Sequence, residues 1–271
     1  MKQVTILGTH NTVATTVFGP MDVFFLAGQL WNVISGIPAK PYFNVEIVSE
    51  DGRPFRCLNN VMVTPHRSVQ EVAETDLIII SSIADIDKTL AHNRTMIEWL
   101  RHQYRRGASI ASVCTGAFLL AETGLLDSKS ATTHWGFMDL FRERYPQIEL
   151  KPEKLITDEG TLYCAGALSA GIDLSIYLVE KYCGHEVAIQ CSKSLLHDMG
   201  RQSQAPYSVL HFQKKHPDDA VRAAQLWLEN QYAQPVDMNA LARAHAMSRR
   251  TFERRFKKAT GDTPLFYLQK I

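Results

Sequence analysis

Short apolar runs alternate with longer amphipathic stretches along roughly the first 200 residues of the chain. The apolar runs are QVTILG, FNVEIVS, DLIIISS, ASIASV and TLYCAG. A run such as DLIIISS lacks the alternation of a half-exposed strand, so it predicts a strand in a parallel sheet that is covered on both faces. The stretches between the runs predict helices at residues 21–34, 88–104, 116–123, 135–144 and 169–183.

This alternation of strands and helices predicts an α/β fold: an open, mostly parallel, flavodoxin-like sheet sandwiched by helices. Such sheets bind ligands at the carboxyl ends of their strands. After residue 193 the pattern changes to a polar segment and then to helices alone, at residues 220–231, 238–244, 248–260 and from about 264. We therefore predict three parts, an α/β domain at 1–195, a linker at 196–217 and a small all-α helix-turn-helix segment at 218–271.

Charge is distributed unevenly along the 271 residues, although the formal net charge is only +1. Residues 211–271 contain eleven Lys or Arg and six Asp or Glu, a net of +5, whereas the rest of the chain is mildly acidic. A basic tail on an acidic body predicts a polyanionic partner.

The sequence shows no metal-binding, targeting or membrane-spanning motif. The five cysteines form no CxxC pair and the ten histidines no zinc-binding pattern, so we predict neither a metal nor a cofactor. No signal sequence or membrane-length apolar run is visible, and we expect a cytoplasmic protein without a membrane partner.

The segment MSRRTFERRFKKATGDTP is the most basic part of the tail. Its first twelve residues hold six Arg or Lys against one Glu. Ser248 is a favourable N-cap and Gly261 a favourable stop, so these two residues bound a predicted helix. Phe252 and Phe256 are four residues apart and share one face of that helix, which we predict to be buried. The opposite face then presents Arg249, Arg250, Glu253, Arg254 and Lys257 to solvent.

The preceding stretch MNALARAHA predicts a second short helix with small and apolar residues for close packing, so the pair is typical of a helix-turn-helix. An α-helix fits the major groove of double-stranded DNA, where Arg matches the acceptor edge of guanine and Glu can accept from cytosine. Judged by its charge alone, the segment is equally consistent with a solvated helix that binds nothing. The helix pairing and the phenylalanine spacing favour DNA.

The last fifty or so residues, AQLWLENQ to FYLQKI, resemble the first half of an AraC/XylS-family DNA-binding domain. The resemblance rests on LA, MSRRTFERRFKKATGDTP and YL in that order. It implies two helix-turn-helix units joined by a long helix, with Arg250, Glu253 and Arg254 facing bases and Arg249 and Lys257 near the DNA backbone. The sequence ends inside the expected joining helix, so we expect a C-terminally truncated chain that lacks the second unit.

The stretch ASIASVCTGAFLLAETGLL runs from a predicted strand directly into a helix, with Cys114 at the junction and Thr115 and Gly116 in the turn. The helix N-terminus is expected to lower the pKa of the thiol, and its free N–H groups are suited to an oxyanion. His134, in ATTHW, is a candidate base or hydrogen-bond partner. A buried structural cysteine unrelated to the histidine is the alternative, and the residues alone favour it.

The first two hundred residues resemble the ThiJ/PfpI branch of the class I glutamine amidotransferase-like superfamily, through VCTGAFLLA, ATTHW and FGPMDVF. The resemblance implies that Cys114 pairs with His134 and that Asp22 contacts the thiol. Two positions depart from the pattern, since Thr115 replaces the His of protease-like members and Thr16 the Asp of isocyanide-hydrating members. The remaining residues implied to line the pocket are Thr9, His10, Ser82, Ile83 and, in the turn, Thr115 and Gly116.

A ThiJ/PfpI-like domain followed by an AraC-like domain is the layout of a group of transcription regulators. We therefore predict a non-enzymatic DNA-binding regulator whose pocket senses a small metabolite, such as an amine or amino-acid derivative. Two alternatives stay open, a cysteine-dependent amidase or hydratase and a redox sensor that uses Cys114. Paired DNA half-sites require a two-fold protein, so we expect a homodimer formed through the N-terminal domain.

Overall fold

The structure is a computed structural model that describes residues 1–204, 207, 213–214 and 216–271. Contacts between residues divide the chain into two units, residues 1–205 and 206–271. The predicted linker spans this boundary, and its residues 205, 206, 208–212 and 215 lie outside the described residues. Within the described residues, no helix is long and apolar enough to cross a membrane.

The first unit is built on a seven-stranded sheet. The strands of this unit are β1 (Lys2–Leu7), β2 (Phe43–Ser49), β3 (Phe55–Arg56), β4 (Met62–Val63), β5 (Arg67–Ser68), β6 (Leu77–Ile80), β7 (Ser109–Val113), β8 (Ser130–Ala131), β9 (Glu149–Leu150), β10 (Ile156–Asp158) and β11 (Leu162–Ala165). The order in the main sheet is β10-β11-β7-β6-β1-β2-β5. Every neighbouring pair is parallel except β10 and β11.

Helices cover both faces of this sheet. They are α1 (Thr15–Leu26), α2 (Leu30–Ile34), α3 (Ile86–His92), α4 (Arg94–Arg105), α5 (Gly116–Glu122), α6 (Met138–Arg144), α7 (Ala170–Cys183) and α8 (His185–Leu195). Side chains of β6 point alternately to the two faces of the sheet. Ile79 packs in the layer that holds α1, α7 and α8, whereas Ile78 and Ile80 pack in the layer that holds α3 to α6. The predicted α/β sandwich with a mostly parallel sheet is confirmed.

Two of the predicted helices are interrupted, and one helix was not predicted. The helix expected at residues 21–34 begins earlier and divides into α1 and α2 around Gly28. Gly28 has φ +74°, and its Cα lies against the Lys40 carbonyl, so that a Cβ would be 2.2 Å from the oxygen. The helix expected at 88–104 divides into α3 and α4 at Asn93. Helix α8 follows the polar turn at Gly184 and was missed.

From residue 216 onwards the second unit has helices and no strand, as predicted for its sequence. Its helices are α9 (Asp219–Gln231), α10 (Met238–Ala244), α11 (Arg249–Thr260) and α12 (Pro264–Lys270). Each helix begins after a side chain that caps it, and the four capping residues are Asp218, Asp237, Ser248 and Thr263. Phe252, Phe256 and Tyr267 are fully buried at the centre of the hydrophobic core of this unit.

Candidate functional site

The turn after β7 holds the cysteine that the sequence singled out. Cys114 has φ +59°, a left-handed conformation that is uncommon for a residue with a side chain. It directs the chain from β7 into α5. Position 116 must be glycine, because a Cβ there would lie 2.6 Å from the Ser81 carbonyl oxygen and 2.8 Å from that of Ile80. The strand, the turn and the helix thus form a tight elbow at the carboxyl edge of the sheet.

Thr115 joins this elbow to the neighbouring strand. Its hydroxyl donates to the Ile83 carbonyl at 2.6 Å and accepts from the Ile83 N–H at 3.0 Å. Because Ile83 follows the carboxyl end of β6, these bonds bring the ends of β6 and β7 together. Among the predicted pocket residues, Cys114, Thr115, Gly116, Ser82 and Ile83 are therefore neighbours.

A cluster of four hydroxyl groups lies beside Ile83, and we call it the hydroxyl cluster. The Thr12 Oγ1 donates to Ser81 Oγ at 3.0 Å, and Thr16 Oγ1 lies 3.1 Å from Ser82 Oγ. Two further hydrogen bonds join the cluster to the backbone. The Ser82 N–H donates to Thr16 Oγ1 at 3.0 Å, and Ser81 Oγ donates to the Leu7 carbonyl at 2.8 Å. All four side chains are buried. The sequence comparison drew attention to Thr16 only as a departure, and no local pattern predicts contacts across about 70 residues.

The two residues after β1 have different environments. Thr9 is buried, and its hydroxyl has no hydrogen-bond partner among the described residues. His10 is exposed, and its Nδ1 accepts from the Arg56 N–H at 3.3 Å. Thr9 thus leaves an unpaired polar atom at the predicted pocket edge, whereas His10 faces solvent beside the β3–β4 hairpin.

A small cavity of about 240 Å³ opens next to the hydroxyl cluster. It is lined by Val13, Ala14 and Thr15 before and at the start of α1, and by Leu58 and Asn59 from the loop between β3 and β4. The Val13 N–H donates to Ser82 Oγ at 3.1 Å, which places the cavity directly against the cluster.

The expectation that the helix N-terminus lowers the pKa of Cys114 was wrong. Cys114 is only 4% exposed, and burial raises its pKa to about 11. Hydrogen bonds from the Thr115 backbone and side chain oppose this rise without cancelling it. Desolvation disfavours the thiolate more strongly than the helix terminus favours it, so the thiol is neutral at physiological pH.

His134 and Asp22 do not complete a catalytic group around the thiol. His134 caps a 3-10 turn at Trp135–Phe137, its Nδ1 accepting from the Gly136 N–H at 3.1 Å, and burial lowers its pKa. Within the described parts of the chain, no hydrogen bond joins the His134 ring to the Cys114 sulfur. Asp22 is exposed on α1 rather than in contact with the buried thiol, so the structure does not bear out the role implied for it.

These features determine the chemistry that is available at the carboxyl edge of the sheet. A neutral thiol, a neutral imidazole and buried hydroxyls offer hydrogen bonds but neither a charge nor an activated nucleophile. In the described residues, no group of three His, Cys, Asp or Glu side chains is arranged to hold a metal ion. The arrangement suits binding of a small polar molecule better than covalent catalysis.

Helix α11 has the caps and the buried face that its sequence predicts. Ser248 Oγ accepts from the Thr251 N–H at 3.3 Å, and Gly261 ends the helix at φ +83°. Phe252 and Phe256 are both 0% exposed, with ring centroids 5.6 Å apart. The phenylalanine face is therefore turned inward.

The basic face of α11 lies open. Arg249, Arg250, Arg254 and Lys257 are exposed, and within the described residues no ion pair involves Arg250, Arg254 or Lys257. Glu253 does not stand free, because its Oε1 lies 2.8 Å from Arg249 Nε. A contact between Glu253 and a base would require this pair to open.

Arg255 has a structural role that the sequence did not reveal. Its guanidinium makes two hydrogen bonds to Asp218, at 2.9 Å from Nε and 2.7 Å from Nη2. Asp218 is also the N-cap of α9, so the pair fixes α9 against α11. The two residues are 37 positions apart, and only the fold brings them together.

The sharp strand–cysteine–helix elbow at the edge of a mostly parallel sheet is what defines this class of α/β domain. The chain matches the model of the DJ-1/PfpI family over residues 2–181, which include the whole sheet and nearly all of α7. The protein belongs to the DJ-1/PfpI family.

Individual relatives extend this comparison. The HTH-type transcriptional regulator CdhR of Pseudomonas aeruginosa is 29% identical over 226 residues, which cover 82% of this chain and 66% of that protein. The isonitrile hydratase of Pseudomonas putida is 26% identical over 182 residues, covering 65% of this chain and 78% of that enzyme. An AraC family transcriptional regulator from Pseudomonas putida has a solved structure with the same fold, with a TM-score of 0.62 and 18% identity over 72% of this chain and 100% of that one.

These matches confirm the resemblance to regulators that combine a DJ-1/PfpI domain with a helix-turn-helix. The chain spans just under two thirds of the length of the regulator CdhR. The alignment to that regulator covers more of this chain than the first unit contains, whereas the match to isonitrile hydratase covers a smaller share.

Proposed function

We propose that the protein is a ligand-responsive transcription regulator rather than an enzyme. In this proposal residues 1–204 form the domain that senses a small metabolite, 205–217 link the domains and 218–271 bind double-stranded DNA through the major groove. The observation that carries the proposal is the exposed basic face of α11, where Arg250, Arg254 and Lys257 form no ion pair with any described residue and the buried phenylalanines pack behind. The similarity to HTH-type transcriptional regulators supports the same assignment.

The proposed contacts of α11 follow from its charges. Arg250 and Arg254 are free to form paired hydrogen bonds with the acceptor edge of guanine. Arg249 and Lys257 lie where phosphate contacts are expected, and Glu253 reads a base only after releasing Arg249.

The proposed effector site is the carboxyl edge of the sheet. The buried hydroxyl of Thr9, unpaired among the described residues, supports a ligand with a polar group, and the small cavity, lined mainly by Val13, Ala14 and Leu58, leaves room for an apolar part. The ligand is a small metabolite of the amine or amino-acid-derivative class, held beside Cys114, His134, Ser82 and Ile83. The high pKa of Cys114 argues against both alternatives, because a nucleophile and a peroxide sensor each need a thiolate.

Binding-site selection with the full 271-residue chain, from random duplex DNA at about 150 mM salt, tests the proposal. We expect one enriched sequence, because direct readout of bases gives specific sites an advantage of about a thousandfold or more. Arg250→Ala and Arg254→Ala are expected to weaken binding to that sequence by about tenfold or more.

The control variant is Arg142→Ala, which removes the same charge from an exposed position on α6. It is expected to leave the affinity within about twofold, since it removes only a distant charge. If no sequence is enriched, or if the control weakens binding as much as the α11 variants, the proposal is wrong.

A further inference from the structure

The chain between α8 and the second unit returns to the sheet before it leaves the first unit. Residues 197–204, which we call the strap, pair near their end with residues 153–155, which directly precede β10. The Leu155 N–H donates to the Gln202 carbonyl at 3.2 Å, and the Gln204 N–H to the Glu153 carbonyl at 3.1 Å. The strap is therefore part of the first unit, although its composition predicts a linker.

Polar contacts hold the far end of the strap. His197 Nε2 lies 3.1 Å from Asp173 Oδ1, and Arg201 Nη1 lies 3.5 Å from Asp173 Oδ2. Between these contacts and the sheet there is a cavity of about 350 Å³, lined by strap residues and by Leu155 and Ile176 among others. The middle of the strap therefore lies over a cavity rather than over packed side chains.

The other end of the strap is anchored by one buried side chain. Gln204 is 1% exposed, and its Nε2 donates to Thr133 O at 2.9 Å and Thr132 Oγ1 at 3.1 Å. Its Oε1 has no hydrogen-bond partner among the described residues. A buried acceptor left unpaired makes docking less favourable than it would otherwise be, which suits a reversible contact.

Gln204 contacts the two segments that hold the Cys114 backbone in place, through Thr133 and through Gly166. On one side, Thr133 Oγ1 donates to the Cys114 carbonyl at 3.0 Å. On the other, the Cys114 N–H donates to the Ala165 carbonyl at 2.8 Å, and the next residue, Gly166, has its Cα directly against the Gln204 amide. A Cβ on Gly166 would lie only 2.2 Å from Gln204 Nε2.

We infer that Gln204 is the positioning residue that couples the Cys114 pocket to the chain leading into the second unit. When the Cys114 turn and the Thr132–Thr133 segment shift, the Gln204 amide loses its hydrogen bonds and the strap is released. Conversely, release of the strap loosens the Thr132–Thr133 segment. This inference rests on the proposed function, in which occupancy of the pocket changes DNA binding.

Hydrogen exchange of the full chain, followed by mass spectrometry without DNA, tests the coupling. In Gln204→Ala we expect exchange in residues 153–156 and 197–204 to rise by about tenfold, since both docking hydrogen bonds open more often. Exchange in residues 131–134 and at the Cys114 amide is expected to rise by about threefold or more. The matched control is Gln202→Ala, the same change at an exposed position of the strap, which should alter neither region.

Gly166→Ala provides an independent test, because its methyl group would expel the Gln204 amide without removing the residue. We expect the same exchange pattern as in Gln204→Ala, and the double variant should exceed neither single variant, since the amide is expelled only once. Unchanged exchange at Cys191, in α8, shows that the fold is intact.

The inference is overturned if Gln204→Ala loosens the strap while residues 131–134 and Cys114 exchange as in the control. It is equally overturned if the strap does not respond, or if the two substitutions add fully. Because no DNA is present, these outcomes are separate from binding-site selection, whose failure would instead contradict the proposed function.

Discussion

At the scale of single residues, burial decides the chemistry of Cys114. A helix N-terminus favours a nearby negative charge by roughly 0.3–1 kcal/mol. The rise of the Cys114 pKa from 9.0 to about 11 corresponds to about 3 kcal/mol in the opposite direction. Desolvation therefore wins, and a cysteine at a tight elbow is not by itself a reactive cysteine.

This balance predicts slow labelling of Cys114. Alkylation with iodoacetamide is expected to be slow at pH 7 and to accelerate up to about pH 11, because the thiolate forms only as the pH approaches the raised pKa. Mass spectrometry of peptides that contain Cys114 measures the rate. A labelling midpoint below about pH 8 would contradict the prediction and would revive the enzyme and redox alternatives.

The same shift links Cys114 to stability. A thiol whose pKa is higher in the folded than in the unfolded state contributes stability fully below the unfolded value. That contribution is lost as the pH rises from about 9 towards 11, because the unfolded chain releases its proton first.

At the scale of elements, helix α11 depends on signals that lie within it. Its cap, its glycine stop and its phenylalanine spacing are local, and the structure agrees with each of them. Ser248→Ala is expected to cost about 1 kcal/mol, and so to raise the local opening of α11 about fivefold, since the Thr251 N–H loses its acceptor.

Hydrogen exchange of the α11 amides measures this effect. Ser248→Asp should restore most of the protection, because aspartate caps as well as serine. Equal exchange in the alanine and aspartate variants would mean that packing of the phenylalanine face, rather than the cap, limits the opening of α11.

Features set by distant contacts were less accessible from the sequence. The five central strands were predicted because each contains a short run rich in apolar and β-branched residues. The division at Gly28 depends on the close approach of the Lys40 carbonyl, and the hydroxyl cluster joins two strand ends that are about 70 residues apart. The pairing of Arg255 with Asp218 and the docking of Gln204 likewise need the folded chain, so the sequence indicates the edge that forms the site but not its contacts.

At the scale of the whole molecule, the exposed apolar side chains of the first unit bear on assembly. Phe18 and Phe25 on α1 are 37% and 54% exposed, and Leu58 and Met62 near the β3–β4 hairpin are 60% and 58% exposed. The Leu58 N–H donates to the Thr12 carbonyl, which brings this hairpin beside the start of α1. Exposed apolar groups of this kind support the homodimer proposed for this unit.

Light scattering coupled to size-exclusion chromatography tests this assembly. The full chain is expected to have about twice its monomer mass of 30.6 kDa, and Phe25→Asp should shift it towards the monomer, because burying a carboxylate at an apolar interface is costly. Leu265→Asp is the control, since Leu265 lies on α12 with the same 54% exposure as Phe25. A monomeric wild-type chain, or equal dissociation by both substitutions, would contradict the prediction.

The hydroxyl cluster has one more consequence for what the sheet edge can accept. Thr12 donates its hydroxyl proton to Ser81, Ser81 donates to the Leu7 carbonyl and Thr16 donates to the Val13 carbonyl. Each hydroxyl has a single proton, so Ser82 is left to donate across its contact with Thr16. The protons of the cluster are therefore all engaged, whereas its oxygens keep acceptor capacity. A guest at this edge is matched when it brings N–H or O–H groups of its own, as an amine does.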